Sequence, residues 1–247
     1  MPDWAGDYFE HGYAQRWGVL PVTEQIRQDT ACLWGRLQLK PRARVVELGC
    51  GYGRYALAFA EHGADVVGVD SAGGLLRDAQ RLGADSCLRA HWVRGDMRSV
   101  PLRPDSCDAA VVLDAFGFFE AEDDNQRALA EAARVLVPGG RLALKVVNGE
   151  PILARFRHAD REERDGVVVA LTRSLTLEPP RMIEQVTVTG ARGKGQYERR
   201  QRLYRAEEVS VAAKRVGFAI VGVFADACGA AFDPATSSTI WLVGQIA

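Results

Sequence analysis

Glu47, Asp70 and Asp96 are acidic residues that stand at or just beyond the ends of short apolar runs. The first run, Val45-Val46-Glu47-Leu48, passes directly into Gly49-Cys50-Gly51-Tyr52-Gly53-Arg54. A glycine-rich turn between a strand and a helix lets a ligand approach the backbone, and the helix start offers it free N–H groups. The glycine spacing is G-x-G-x-G. A pyrophosphate-binding turn would read G-x-G-x-x-G and would need glycine at 54, where Arg54 stands. That arginine would crowd the close helix–sheet contact that the third glycine normally permits. Glu47 is out of place against a pyrophosphate and well placed against a cation.

The run Asp65-Val66-Val67-Gly68-Val69 ends in Asp70, roughly twenty residues beyond Gly49. A carboxylate at the tip of a neighbouring strand can accept hydrogen bonds from both hydroxyls of a ribose. Taken alone, Asp70 serves equally well as a cap for the helix that follows. Gly95-Asp96-Met97 comes after a third run. Its carboxylate can take the exocyclic amine of an adenine while the methionine packs on the ring, although a plain turn accounts for this tripeptide by itself. Together the three sites suit a nucleoside that carries positive charge and no phosphate.

Such residues need a sheet to bring them to one edge. Arg44–Leu48, Asp65–Val69, His91–Arg94, Ala109–Leu113 and Arg141–Val147 read as strands. Helical patterns at Arg54–His62, 73–82 and Asp123–Leu136 separate them. The strands are nearly continuous in Val, Ala and Leu, which suits a parallel sheet covered on both faces. Pro138-Gly139-Gly140 is expected to stop the helix before it and turn into the fifth strand. Near the N-terminus, Thr23 can cap a helix that runs to about Leu39, where Pro41 ends it. Residues 151–205 break the rhythm. Met182, Glu184, Val186 and Val188 alternate with Ile183, Gln185 and Thr187, the pattern of a half-exposed antiparallel sheet. Three cap strands are expected there. The rhythm resumes with a helix at Ala206–Val216, closed by Gly217, and strands at Phe218–Phe224 and Thr239–Ile246. The organisation expected is a helical lid segment over 1–40, a core formed by 41–150 and 206–247, and a β-stranded cap over 151–205.

Composition narrows the function. The 31 basic and 32 acidic residues nearly cancel, so a chain-wide grip on nucleic acid or anionic lipid is not expected. The five cysteines are odd in number, scattered and without a C-x-x-C pair, which argues against a disulfide framework and against a zinc site. No metal is expected, and the cysteine usage fits a reducing, cytoplasmic setting. Met1–Asp7 has no basic and apolar leader pattern, and no apolar run is long enough to span a membrane.

With these pieces in order, the sequence resembles the class I S-adenosylmethionine-dependent methyltransferases. The resemblance rests on ELGCGYG at 47–53, VVGVD at 66–70, GDM at 95–97, DAAVVLDAFGFF at 108–119 and RVLVPGGRLALKV at 134–146. The RLY and EE of 202–208, AKRVGF at 213–218 and the last strand extend it over nearly the whole chain. It is nearest to small-molecule enzymes with a β cap, such as the glycine/sarcosine and aminosugar N-methyltransferases. Glu47 stands where Asp is commoner. The resemblance implies a doubly wound, Rossmann-like α/β fold. Its sheet would have seven strands, mostly parallel with the last antiparallel, and a small antiparallel β cap would be added. It implies S-adenosyl-L-methionine as cofactor and S-adenosyl-L-homocysteine as product. Gly49, Cys50 and Gly51 would line the methionine portion, with Glu47 near the sulfonium. Asp70 and Ser71 would lie at the ribose, Asp96 and Met97 at the adenine, and Leu113 would offer backbone contacts.

Methyl transfer from a sulfonium is an in-line displacement that needs positioning in a dry site and no nucleophilic side chain. A base is required only if the acceptor must lose a proton. Two aromatic clusters are placed to close such a site. Trp4, Tyr8, Phe9, Tyr13 and Trp17 either pack the N-terminal segment on the body or form a lid with Tyr8 or Tyr13 reaching in. Asp114, Phe116, Phe118 and Phe119 follow the fourth strand. Tyr8, Tyr13, Asp114, Phe116 and Phe118 are the candidate acceptor contacts. No catalytic residue is identified; Tyr13, His11 and His158 are the candidates for moving a proton. The basic stretch Arg192–Arg205 reads as alternating charge on an exposed strand, as a nucleic-acid patch, or as one Arg facing an acceptor carboxylate. The expected activity is methylation of an N or O atom of a small metabolite, of the kind met in bacterial secondary metabolism. RNA- or protein-directed methylation, or the same fold with non-methylating chemistry, are the alternatives. The expected partner is a small-molecule acceptor, with no nucleic acid or membrane, and the expected state is monomer or homodimer.

Overall fold

The apolar runs become one seven-stranded sheet. In the computed structural model its strands are β1 (Arg44–Leu48), β2 (Asp65–Asp70), β3 (Ala90–Arg94), β4 (Cys107–Leu113), β5 (Leu136–Val147), β10 (Phe218–Phe224) and β11 (Thr239–Ile246). Their order is β10-β11-β5-β4-β1-β2-β3. β1 to β5 pair in parallel, and β11 inserts antiparallel between β10 and β5. The structure describes residues 4–84, 88–164, 166–191 and 193–247. Met1-Pro2-Asp3, Cys87, Asp165 and Arg192, on which parts of the leader, cysteine, cap and basic-stretch readings rest, lie outside the described residues.

β1 and β4 are buried along nearly their whole length because helices cover both faces. On one face, α3 (Glu24–Arg36) and α4 (Arg54–Glu61) bring Leu33 and Phe59 against Val45, Val66 and Val111. On the other, α6 (Glu122–Val135) and α8 (Ala206–Arg215) bring Leu129 and Val209 against Val46, Ala110 and Leu142. α5 (Gly73–Ala84) packs beside β2 and β3. Thr23 caps α3 by accepting from the Ile26 N–H at 3.3 Å. No helix among the described residues is long and apolar enough to cross a membrane.

Three features depart from the sequence reading. First, β5 begins at Leu136, so Pro138-Gly139-Gly140 lies inside the strand. β11 joins only from Arg141 onward, so Pro138 sits where no partner strand needs its missing N–H. Second, the cap has four strands: β6 (Ala159–Arg164), β7 (Val167–Leu177), β8 (Pro180–Gly190) and β9 (Gly193–Arg202), antiparallel in that order. β6 reads Ala-Asp-Arg-Glu-Glu-Arg and shows no apolar alternation, because it is an exposed, charged edge whose strand partner is β7. Third, Cys32 and Cys228 form a disulfide, against the expectation of none. They are 196 residues apart in sequence. Only the return of the chain after β10 brings Cys228 beside α3, where Arg36 Nε also donates to Ala227 O at 2.9 Å.

The N-terminal segment is a continuous helical stretch made of α1 (Trp4–Asp7), a π turn (Tyr8–Gly12) and α2 (Tyr13–Trp17). It lies between sheet and cap. Tyr8 is buried among Val169, Leu171, Val186 and Val188 of the cap, while Tyr13 packs toward Tyr52 of the core. Tyr197 Oη on β9 donates to Gln15 at 2.7 Å, and Glu10 Oε1 accepts from the Gly74 N–H at 3.0 Å. The remaining helix, α7 (Gly149–Ala154), leads from β5 toward the cap.

Candidate cofactor and acceptor site

The carboxyl ends of β1, β2 and β4 open on a cavity of about 640 Å³. This is the edge where open α/β sheets hold ligands. Its floor is the β1–α4 turn. Gly49, Gly51 and Gly53 have φ of 71°, 54° and 68°, a region that side chains enter only with strain. Gly53 is also required by contact: a Cβ there would lie 2.1 Å from Cη2 of Trp92. The tight helix–sheet approach therefore falls on Gly53. Arg54 is not crowded against the sheet; its side chain lines the cavity.

Glu47 lines the floor and is 2% exposed. Its Oε2 accepts from the Ala56 N–H at 2.8 Å, one of the unpaired donors of the α4 start. Burial pushes its carboxyl up to about 8, against the opposing pull of that N–H and of Arg54. Asp70 closes β2. Its Oδ2 accepts from Gly51 N at 2.7 Å and its Oδ1 from Ala72 N at 2.8 Å. One carboxylate thus ties the glycine turn to the start of α5, and each oxygen keeps a second lone pair. Burial raises its pKa too. Asp96 is clamped by Arg98, with Nη2 to Oδ2 at 2.6 Å, which holds its carboxyl below the usual range. Arg98 pairs as well with Asp124 at 2.9 Å and lies over the Phe119 ring. Cys50, Ser71, Met97 and Leu113 complete this side of the cavity.

The aromatic part of the lining comes from the N-terminal segment and the β4–α6 loop. Tyr13 and Phe118 belong to it together with Trp4 and Phe9, and the Phe9 and Phe118 rings meet edge-on at 5.2 Å. Burial raises the pKa of the Tyr13 phenol, so it faces the cavity as an O–H donor. Asp114 also lines the cavity. Its φ of 60° is strained for a residue with a side chain, and its Oδ2 is paired with Lys145 at 2.6 Å.

Tyr8, Phe116, His11 and His158 do not line the cavity. Tyr8 is buried on the cap side of the lid. Phe116 is 2% exposed and stacks on Tyr204 in the main core, because Gly117, at φ 90°, turns the chain before Phe118. His11 is exposed, and His158 packs edge-on against Phe156. Sequence reasoning did not single out Arg54, Glu10, Tyr55, Glu120, Glu198 and Arg200 as lining residues. Glu198 and Arg200 share one face of β9, and that i, i+2 spacing was the readable signal. Tyr55 carried no such signal; Asp29, from α3, holds its hydroxyl at 2.9 Å.

Residues 46–144, from β1 into β5, match a family model described as a methyltransferase domain. By this match the stretch that forms the cavity floor is a methyltransferase domain. An S-adenosyl-L-methionine-dependent Diels-Alderase, iccD of Talaromyces variabilis, is 34% identical over 140 residues, 55% of this chain and 47% of that one. The chain thus matches about half the length of this curated relative. The CcbJ methyltransferase from Streptomyces caelestis superposes with a TM-score of 0.82 at 21% identity, over 98% of this chain and 97% of that one. CalS10, an amino pentose methyltransferase from Micromonospora echinaspora solved with S-adenosylmethionine bound, gives 0.64 at 22% identity, over 97% and 96%. These two likenesses cover nearly the whole chain and show that its methyltransferase fold is shared. The family's cofactor suits the cavity floor. A Cβ on Gly51 would meet only Leu75, at 3.8 Å, so bare backbone faces the space where a ligand would lie.

Proposed function

We propose that the chain moves a methyl group from S-adenosylmethionine to a nitrogen or oxygen atom of a small metabolite. One observation carries this reading. A single cavity is lined both by Gly49, Gly51, Asp70 and Asp96 and by Tyr13, Asp114 and Phe118. The candidate nucleoside contacts and the candidate acceptor contacts therefore share one space, walled in part by the N-terminal segment and by β9. Its volume is in the range of small-molecule sites.

The bound cofactor supplies an electrophilic methyl on a sulfonium. The chain's own residues position and exclude. Gly49 and Gly51 present backbone to the methionine portion, with Glu47 beneath. Asp70 uses its remaining lone pairs for the ribose hydroxyls. Met97 packs on the adenine, and Asp96, already held by Arg98, accepts from its amine. Trp4, Phe9 and Phe118 keep water from the transfer line, where displacement is aided by alignment. Tyr13 donates its O–H toward the acceptor, and Asp114, fixed by Lys145, orients an amine or hydroxyl.

Two measurements test this. S-adenosylhomocysteine formation should appear with members of a panel of small amines and alcohols. Binding of the cofactor with no turnover across the panel would overturn the methylating role, and no calorimetric binding of either S-adenosyl compound would overturn the whole reading. Asp70→Ala is expected to weaken cofactor binding by about 1–3 kcal/mol, the scale of lost hydrogen bonds to a charged acceptor. Unchanged affinity would put the ribose elsewhere.

A further inference from the structure

A strand at the edge of a sheet presents unpaired N–H and C=O groups that another chain can pair with, and charges or a cover discourage this. β3, at one end of the main sheet, carries His91 and Arg94. β6 is charged along most of its length. β9, the other cap edge, carries Lys194, Glu198 and Arg199, and the N-terminal segment packs against it. β10, at the far end of the main sheet, differs. It reads Phe-Ala-Ile-Val-Gly-Val-Phe, with neither a charge nor a proline. Ala231 bridges to Phe224. From Phe218 to Val223, no strand among the described residues pairs on the outer side of β10. A bulge at Val221 interrupts the register with β11, and that side chain is half exposed.

The helix beside this edge says what could cover it. α8 packs on β10, and a groove next to it is lined by Glu207, Ser210, Val211, Lys214, Val223 and Phe232. Glu207, Val211 and Lys214 are spaced by four and three residues, so they share one helix face. All three are exposed. Neither the Glu207 carboxylate nor the Lys214 ammonium has a hydrogen-bond or ion-pair partner among the described residues. This face is acidic at its start, apolar in the middle and basic at its end. Laid antiparallel on itself about Val211, it sets Glu207 against the partner's Lys214 and Val211 against the partner's Val211. Such self-complementarity is the requirement of a twofold interface. We propose that a second copy of this chain docks here, α8 against α8, with the two β10 edges facing each other. The proposal does not depend on the reaction assigned to the cavity, since none of these residues lines it.

Sedimentation of the full chain should give twice the mass of one chain at micromolar concentration. Val211→Asp sets two carboxylates face to face across the axis, and Lys214→Glu sets like charges opposite each other. Each is expected to raise the dimer Kd about tenfold or more. Combining Glu207→Lys with Lys214→Glu exchanges the two charges and should restore most of the affinity, which a folding defect would not do. Unchanged circular dichroism shows that each variant is folded. Amide exchange over 218–223 should quicken in Val211→Asp, as the paired edges come apart. A chain that stays monomeric at every concentration would overturn the proposal, whether or not another protein binds α8. So would a dimer indifferent to both single substitutions, or a double variant no better than Lys214→Glu.

Discussion

Reduction of the Cys32–Cys228 bond is expected to lower the melting temperature by about 10 °C. The two cysteines are separated by 196 residues, so the bond closes most of the chain into one loop. In the chain-entropy account, a closure of this length is worth about 5 kcal/mol, chiefly by restricting the unfolded chain, while disulfides typically deliver about 2–4 kcal/mol. For a protein of this size each kcal/mol shifts the midpoint by about 2–4 °C. The contacts beside the bond are independent of it and are expected to persist on reduction: Arg36 Nε donates to Ala227 O, and its guanidinium lies over the Phe224 ring at 4.2 Å. The cost therefore comes from the unfolded state more than from lost packing. Cys32→Ser and Cys228→Ser should each reproduce the loss, and the double variant should add nothing, because both remove one bond. Scanning calorimetry with and without reductant, alongside the mass of the non-reduced chain, checks this. An unchanged midpoint, or two free thiols in the purified protein, would contradict it.

That bond also marks where sequence reading stops. Glu47, the glycine turn and Asp70 were legible because they are local: strand, turn and carboxylate follow one another in the chain. The parallel sheet was legible because burial on both faces leaves unbroken runs such as Ala109–Leu113. β6 was not, since an exposed edge strand needs no apolar pattern and owes its geometry to β7. The separation of Phe116 from Phe118 was not legible either. Both are aromatic and two residues apart, and only the left-handed turn at Gly117 sends one into the core and the other to the cavity. Arg54 was read as an obstruction because the position of the tight contact depends on Trp92, a residue on another strand. In each case the missing information was tertiary. The same limit applies to the acceptor, whose contacts come from the lid, the β4–α6 loop and β9 at once.

The affinity for S-adenosylmethionine is expected to rise about tenfold per pH unit from about pH 6 to about pH 8, and then to level off. The cause is Glu47. It is buried, it accepts from the Ala56 N–H, and the charged groups acting on it are Arg54, Asp70 and Asp114. With the cavity empty, burial keeps its proton up to about 8. A cation brought beside it favours the carboxylate, so binding below that pH is coupled to release of one proton, and proton release makes affinity climb with pH. S-adenosylhomocysteine has no sulfonium charge and should show a shallower slope. The sign for folding is opposite. Between 4.5, the ordinary carboxyl value, and about 8, the folded chain holds a proton that the unfolded chain has lost. Stability of the empty protein should therefore fall as pH rises through that window, and cofactor should offset the fall. Glu47→Gln keeps the acceptor for Ala56 N–H but cannot ionise. Its affinity for S-adenosylmethionine should be flat with pH and below that of the unsubstituted chain at pH 8. Titrations in buffers of different ionisation enthalpy count the released proton directly. A flat profile for the unsubstituted chain, or an unchanged slope in Glu47→Gln, would mean that this carboxyl does not meet the cofactor's charge.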